Sequence, residues 1–311
     1  MPRIVVTAGR DYLDIDAYGG IVAYGELLQC LGQASVAIST APTNGSVTQP
    51  LKQMAVSLET RYTAEDNDSF VVIDLSDPDF FDSFVTADNV ISVIDHHAGF
   101  EQYWIDKIGS EARIEFVGAA CTLVYEAWQQ AKVAEKMSKQ SATLLAAGII
   151  DNTLNFKAQL TTDRDRDAYI WLAKHAELSP TWAHEYLEDC QAELLSDLRT
   201  NLINDTKHIT YPGDGEKTMI GQIAVLDAKT FLDEYSTEIT NVLSDGTSKW
   251  YLNLLNLTSG QSYFYTNDTA TKLWLQKLLG VTFSEDLAVA KTLWLRKEIY
   301  KKALDEENSS K

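Results

Sequence analysis

The chain has 311 residues, 45% hydrophobic and 23% charged, with only 6 Pro and 16 Gly; that is long for one core, comfortable for two domains, and without low-complexity tracts. A formal net charge of −19 repels nucleic acid and anionic lipid, which excludes long nucleic acid and membrane as partners and requires local cations or metal ions around any anionic substrate. Cys30, Cys121 and Cys190 lack metal spacing and read as reduced thiols, and the longest helical apolar run, Ala142 to Ile150, is too short to cross a bilayer, so a cytoplasmic location is expected.

In chain order, Arg3 to Ala8 reads as a first strand. The loop behind it carries Asp14 and Asp16, which face the same way if the loop is extended; Asp16 alternatively reads as a helix N-cap. Ala17 to Leu31 reads as a helix whose Gly19, Gly20, Ala23 and Gly25 let it lie close against a sheet. Val36 to Thr40 is a candidate second strand and Pro50 to Ala55 a short helical piece. Ser69 to Ile73 is β-branched and ends at Asp74. The strand Asn89 to Ile94 ends in the same way at Asp95-His96-His97. Parallel strands joined by helices end on one side of their sheet, so these side chains converge there.

Phe116 to Ala120 breaks the chain before an amphipathic helix from about Cys121 to Ala134. A second helix, Ser138 to Ile150, runs into Asp151. A carboxylate at an apolar helix C-terminus opposes the macrodipole and calls for a cation. Thr161-Thr162-Asp163 reads as the N-cap of a helix Arg164 to His175, and a helix from Trp182 to about Leu202 leads onward. His175 and His184 read as ordinary surface or core histidines. Beyond them, Thr206 to Tyr211, the turn Pro212-Gly213-Asp214-Gly215 and Thr218 to Leu226 form a hairpin pattern. A helix at Lys229 to Leu243, strands at Trp250 to Leu257 and Ser262 to Tyr265, and helices at Thr269 to Leu279 and Glu285 to Leu304 complete the reading. The expected fold is α/β: a parallel-sheet N-terminal domain with helices on both faces over 1–188, a linker at 189–204, and a smaller C-terminal α/β domain with a mixed sheet over 205–311.

Asp14, Asp16, Asp74, Asp95, His96, His97 and Asp151 then gather on one side of a sheet. So many carboxylates cannot all stay ionised without cations, and two divalent metal ions are the economical solution. Carboxylate oxygen with imidazole nitrogen suits Mn, Mg, Zn or Fe. Two such ions, about 3.5–4 Å apart, activate a water for in-line attack on phosphorus.

These residues resemble the DHH phosphoesterases, and within them the branch of manganese-dependent (family II) inorganic pyrophosphatases and related exopolyphosphatases. The likeness is carried by Asp14-Ile15-Asp16, Asp74, Asp95-His96-His97, the segment Glu115 to Thr122, and Gly148 to Phe156, over about the first 165 residues; Asp205-Thr206-Lys207 and Arg296-Lys297 match more loosely. It implies a hydrolase of pyrophosphate or short polyphosphate with two divalent metals, Mn or Mg. Asp14, Asp16, Asp74, His96 and Asp151 would be metal ligands, with Asp74 bridging. His97 would lie at the substrate, Asp95 would fix a histidine tautomer, and Lys207, Arg296 and Lys297 would clamp phosphate. A homodimer through the N-terminal sheet edge is implied by the same analogy.

One position departs from the pattern. Where the pyrophosphatases carry a metal-binding His, this chain has Arg10, which cannot ligate a metal. Three consequences are open: oxygen ligands with Asp11 shifting preference toward Mg, Arg10 binding phosphate directly, or a single strong metal. Two other readings stand beside the hydrolase: a DHH-type phosphodiesterase on short oligonucleotides or cyclic dinucleotides, and a non-catalytic member that binds phosphate-containing ligands.

Overall fold

The computed structural model describes residues 3–65, 67–210, 217–245, 247 and 249–309. The chain divides into two compact units, residues 1–190 and 191–311.

The first unit runs β1 (Ile4–Thr7), α1 (Ile15–Cys30), β2 (Ser35–Ala37), α2 (Gln49–Lys52), β3 (Ser69–Ile73), β4 (Val90–Asp95), α3 (Glu101–Ile108), β5 (Ala112–Ile114), α4 (Ala120–Gln130), α5 (Lys139–Asn152), α6 (Asp163–His175) and the part of α7 (Trp182–Ser196) up to Cys190. Its five strands are all parallel, in the order β2-β1-β3-β4-β5. Alternate side chains of a strand face opposite sides, and β3 uses both. Phe70 and Val72 pack with Val5, Phe81 and Trp104 of α3, whereas Ile73 lies against Gly20 of α1, so helices cover both faces. The Trp104 indole donates to the Ser76 carbonyl at 2.6 Å, pinning α3 to the loop that leaves β3.

The second unit contains α8 (Leu198–Asp205), β6 (Lys207–Thr210), β7 (Lys217–Val225), α9 (Ala228–Leu243), β8 (Trp250–Asn256), β9 (Gln261–Tyr265), α10 (Thr269–Leu279), β10 (Phe283–Ser284), β11 (Leu287–Val289) and α11 (Arg296–Ser309). Its sheet is mixed, in the order β10-β11-β9-β8-β7-β6, with β7 and β8 parallel and the other pairs antiparallel. Every residue of β8 is buried. Leu252 and Leu254 pack toward α8 and α9, and Tyr251 packs with Leu275 of α10 and Ile299 of α11.

Three expectations are corrected. The loop before α1 is not extended through Asp16: the helix begins at Ile15, Asp14 is its N-cap, accepting from Ala17 N at 3.0 Å, and Asp16 lies inside the first turn. The helix expected over 182–202 breaks at Asp197, whose carboxylate accepts from Thr200 N and starts α8. The helix expected from Glu285 begins only at Arg296. Glu285 takes a positive φ of 53°, and Leu287 and Ala288 pair with Tyr265 and Phe264 of β9. Helical propensity there yields to strand pairing. The 212–215 turn lies outside the described residues, although β6 and β7 pair antiparallel on either side of it.

Candidate metal centre

β3 and β4 are in register, Ile73 beside Ile94, so the next residues of both strands emerge together at the carboxyl edge. Asp74 turns there with φ 61°, and its N–H donates to the Ile94 carbonyl at 2.8 Å. On the neighbouring strand, Asp95 Oδ1 accepts from the backbone N–H of His96 at 2.7 Å, from that of His97 at 3.2 Å, and from His97 Nδ1 at 2.8 Å. The two imidazoles leave this turn packed edge to face, their centroids 4.4 Å apart and their planes at 66°.

His96 Nδ1 lies 3.1 Å from the Val117 carbonyl. A carbonyl only accepts, so Nδ1 carries the proton and Nε2 is left with a bare lone pair. That lone pair faces Asp74 Oδ1 at 3.3 Å and Asp16 Oδ2 at 3.6 Å. His96 Nε2 and Asp74 Oδ1 are both buried without a hydrogen-bond partner. Acceptors facing one another with no donor between them repel, and a divalent cation with nitrogen and oxygen ligands is the group this arrangement fits.

Asp16 is fully buried and is held from α4: Ala120 N donates to Oδ2 at 2.8 Å and Cys121 N to Oδ1 at 2.7 Å. The N-terminus of α4 therefore stabilises one of the clustered carboxylates. Gly148 allows α5 to come against this pair, since a Cβ there would stand 2.5 Å from Cys121 Sγ and 3.1 Å from the Asp16 Cα. This close approach brings Asp151, in the last turn of α5, within electrostatic reach of Asp14 and Asp16.

Mutual repulsion is written into the titration of the cluster. Burial, then Asp16 and Asp14, holds the Asp74 carboxyl well above the usual range. Burial and Asp16 raise Asp14, and burial and Asp14 push Asp151 up to about 7. Asp95 behaves oppositely: burial works most strongly against its charge, but the hydrogen bonds and charge of His97 together with Ser76 outweigh it, and the carboxyl falls below its ordinary value. Burial pulls His97 down, yet the bond to Asp95 and the charge of Asp74 leave it raised.

Asp74, His96 and His97 offer ligand atoms within 4.8 Å of one another, and Asp14, Asp16 and Asp151 join them electrostatically. Arg10 stands apart from that set: its side chain is 53% exposed, with Nε 3.7 Å from Asp11 Oδ1. In the second unit Lys207 and Lys297 are exposed. Arg296 is mostly buried there, and its guanidinium donates to the Asp205 carbonyl and carboxylate at 2.6 and 2.9 Å and to the Ile220 carbonyl at 3.1 Å. His175 bonds the Met137 carbonyl and His184 pairs with Glu188, both as expected of ordinary histidines.

Two contributors escape a sequence reading. Asp165 is fully buried and receives Gly118 N, Thr122 Oγ1 and Thr162 N, fixing the turn whose Val117 carbonyl holds His96. Its only sequence signal is the capping box with Thr162. Tyr186 on α7 reaches Asp151, and nothing in the local pattern around it signals that.

A family model, DHH family, N-terminal domain, matches residues 3–149. Among curated proteins, the probable manganese-dependent inorganic pyrophosphatase of Enterococcus faecalis is 27% identical over 244 residues, covering 75% of this chain and 74% of that protein. The protein of the same name from Listeria welshimeri is 24% identical over 303 residues, covering 93% and 94%. Among solved structures, a Methanococcus jannaschii protein assigned to the family II inorganic pyrophosphatases superposes with a TM-score of 0.67 at 19% identity, over 98% of this chain and 99% of that one. An exopolyphosphatase-related protein from Bacteroides fragilis gives 0.52 at 13% identity, over 99% and 93%. At these identities the structural likeness speaks to the fold.

Proposed function

We propose, from the match of residues 3–149 to the DHH family, N-terminal domain, that the chain is a hydrolase of the metal-dependent phosphoesterase type that acts on the phosphoanhydride bonds of pyrophosphate or short polyphosphate. The observation that carries this reading is the meeting of His96 Nε2 and Asp74 Oδ1, both buried without a hydrogen-bond partner, with Asp16 Oδ2 3.6 Å from the same imidazole nitrogen. Asp14, Asp16, Asp74, His96 and Asp151 would hold two divalent ions, and the names of the curated relatives support manganese. Bound ions of this kind neutralise phosphate charge and lower the pKa of water at neutral pH.

The chain's own residues do the rest. The Val117 carbonyl and Asp95 fix the two imidazoles, so His97 keeps its Nδ1 proton toward Asp95 and turns its other nitrogen outward. Its raised pKa suits it to donate a hydrogen bond or a proton to a phosphate oxygen. By the resemblance, Lys207, Lys297 and half-exposed Arg10 would bind substrate phosphate, and Arg296 would do so only by exchanging its bonds to Asp205 and Ile220.

Phosphate release from pyrophosphate, tripolyphosphate, long polyphosphate and a dinucleotide, each with Mn and with Mg, tests the reading. Turnover of the shorter anhydrides is expected, reduced at least about 1000-fold in Asp74→Ala. Cleavage of the dinucleotide alone would move the chain to phosphodiester chemistry, and no Asp74-dependent release from any substrate would leave a binding protein.

A further inference from the structure

Tyr186 is buried on α7, and its ring is stacked on Trp182 at 5.7 Å with an interplanar angle of 12°. Its hydroxyl lies 3.0 Å from the Ser46 carbonyl and 3.3 Å from Asp151 Oδ1. Ser46 is itself locked: its N–H and hydroxyl both donate to Asn44 Oδ1, at 2.9 and 2.6 Å. The same Ser46 Oγ accepts the Ile15 N–H at 2.9 Å. Ile15 is the residue between Asp14 and Asp16. The single proton of the Tyr186 hydroxyl thus faces two acceptors, Asp151 and the Ser46 carbonyl, and Ser46 in turn holds the first turn of α1, so four segments far apart in the chain meet around this hydroxyl.

Asp151 has need of such a tether. It sits in the last turn of α5, where the carbonyls already carry partial negative charge, and the chain beyond it turns through three consecutive left-handed residues, Leu154, Asn155 and Phe156. Among the described residues, the Tyr186 hydroxyl is the hydrogen-bond donor that reaches its carboxylate. When the carboxylate is ionised and takes the hydroxyl proton, donation to one oxygen restricts its rotation and leaves the other oxygen for a ligand role.

We propose that Tyr186 is the positioning residue for Asp151, holding its carboxylate in register with Asp14 and Asp16 so that the metal site is assembled before the ion arrives. The proposal rests on the metal reading above. Tyr186 touches neither ion nor substrate in this role and acts through Asp151 alone.

The test is calorimetric titration of the full chain with Mn²⁺, comparing wild type with Tyr186→Phe, which removes only the hydroxyl, and with Tyr125→Phe, the same change at a tyrosine bonded to Gln129. Tyr186→Phe should weaken Mn²⁺ binding about tenfold and alter the visible d–d spectrum of the cobalt(II)-loaded protein, while Tyr125→Phe changes neither. In an Asp151→Asn background the Tyr186 substitution should cost nothing more, whereas a general loosening of the fold would subtract again. Wild-type affinity within twofold and an unchanged cobalt spectrum in Tyr186→Phe would overturn the proposal and leave the metal site standing. A wild-type chain that binds no Mn²⁺ would overturn both.

Discussion

Asp151 and Asp95 are both carboxylates of the cluster, yet their surroundings drive their titrations apart. Asp95 receives three donors on Oδ1 and stays ionised; Asp151, desolvated and close to the charge of Asp14, rises to about 7. For Asp151 the folded value exceeds the ordinary 3.8, so without metal the native state holds its proton longer than the unfolded chain does. Its favourable contribution is complete below about pH 4 and is lost as the pH rises to about 7. Chelator-treated protein should therefore lose stability between pH 5 and 8. Asp151→Asn, unable to ionise, should lose less by on the order of 2 kcal/mol, allowing for screening of a part-exposed group. Urea midpoints at the two pH values measure this, and an equal fall in both proteins would contradict the assignment.

At the scale of elements, the site depends on how closely α5 lies against α1 and the start of α4. Gly148 marks the contact, since the atoms a Cβ would meet are Cys121 Sγ and the Asp16 main chain. Gly148→Ala should raise helix propensity and still destabilise the fold, by about 1–3 kcal/mol, because α5 must withdraw or Cys121 must rotate. Denaturant unfolding measures the loss, and Mn²⁺ affinity should fall in the same protein as Asp151 moves away from Asp16. A neutral or stabilising effect on both would show that the packing is looser than these distances. Asp165 works between elements in the same way: one carboxylate caps α6 and holds the 116–120 turn.

At the scale of the molecule, a net charge of −19 and a cluster of facing acceptors both work against the folded state when no cation is present. Mn²⁺ at 100 times its dissociation constant should stabilise the chain by about 2.7 kcal/mol, seen as a rise of several degrees in thermal midpoint. Asp74→Ala should abolish that rise, and an equal rise in both proteins would place the ion elsewhere. The α/β character, the parallel N-terminal sheet and the convergence of Asp14, Asp16, Asp74, His96, His97 and Asp151 were legible without coordinates. Buried strand runs ending in acidic residues carry a periodic, local signal, and parallel connection puts their ends on one side. Where helix and strand propensities compete the local signal fails: Leu287 to Val289 reads as helix and becomes a strand because β9 offers it a partner. Asp14 rather than Asp16 caps α1, and Asp16 instead receives two N–H groups from residues 104 and 105 positions away. The tautomer of His96, set by the Val117 carbonyl, and the tether of Asp151 to Tyr186 are likewise decided by contacts between distant segments. The chain by itself determined which groups could make a metal site; only tertiary packing decided which atoms face one another, because the bonds that orient them join segments with no sequence pattern in common.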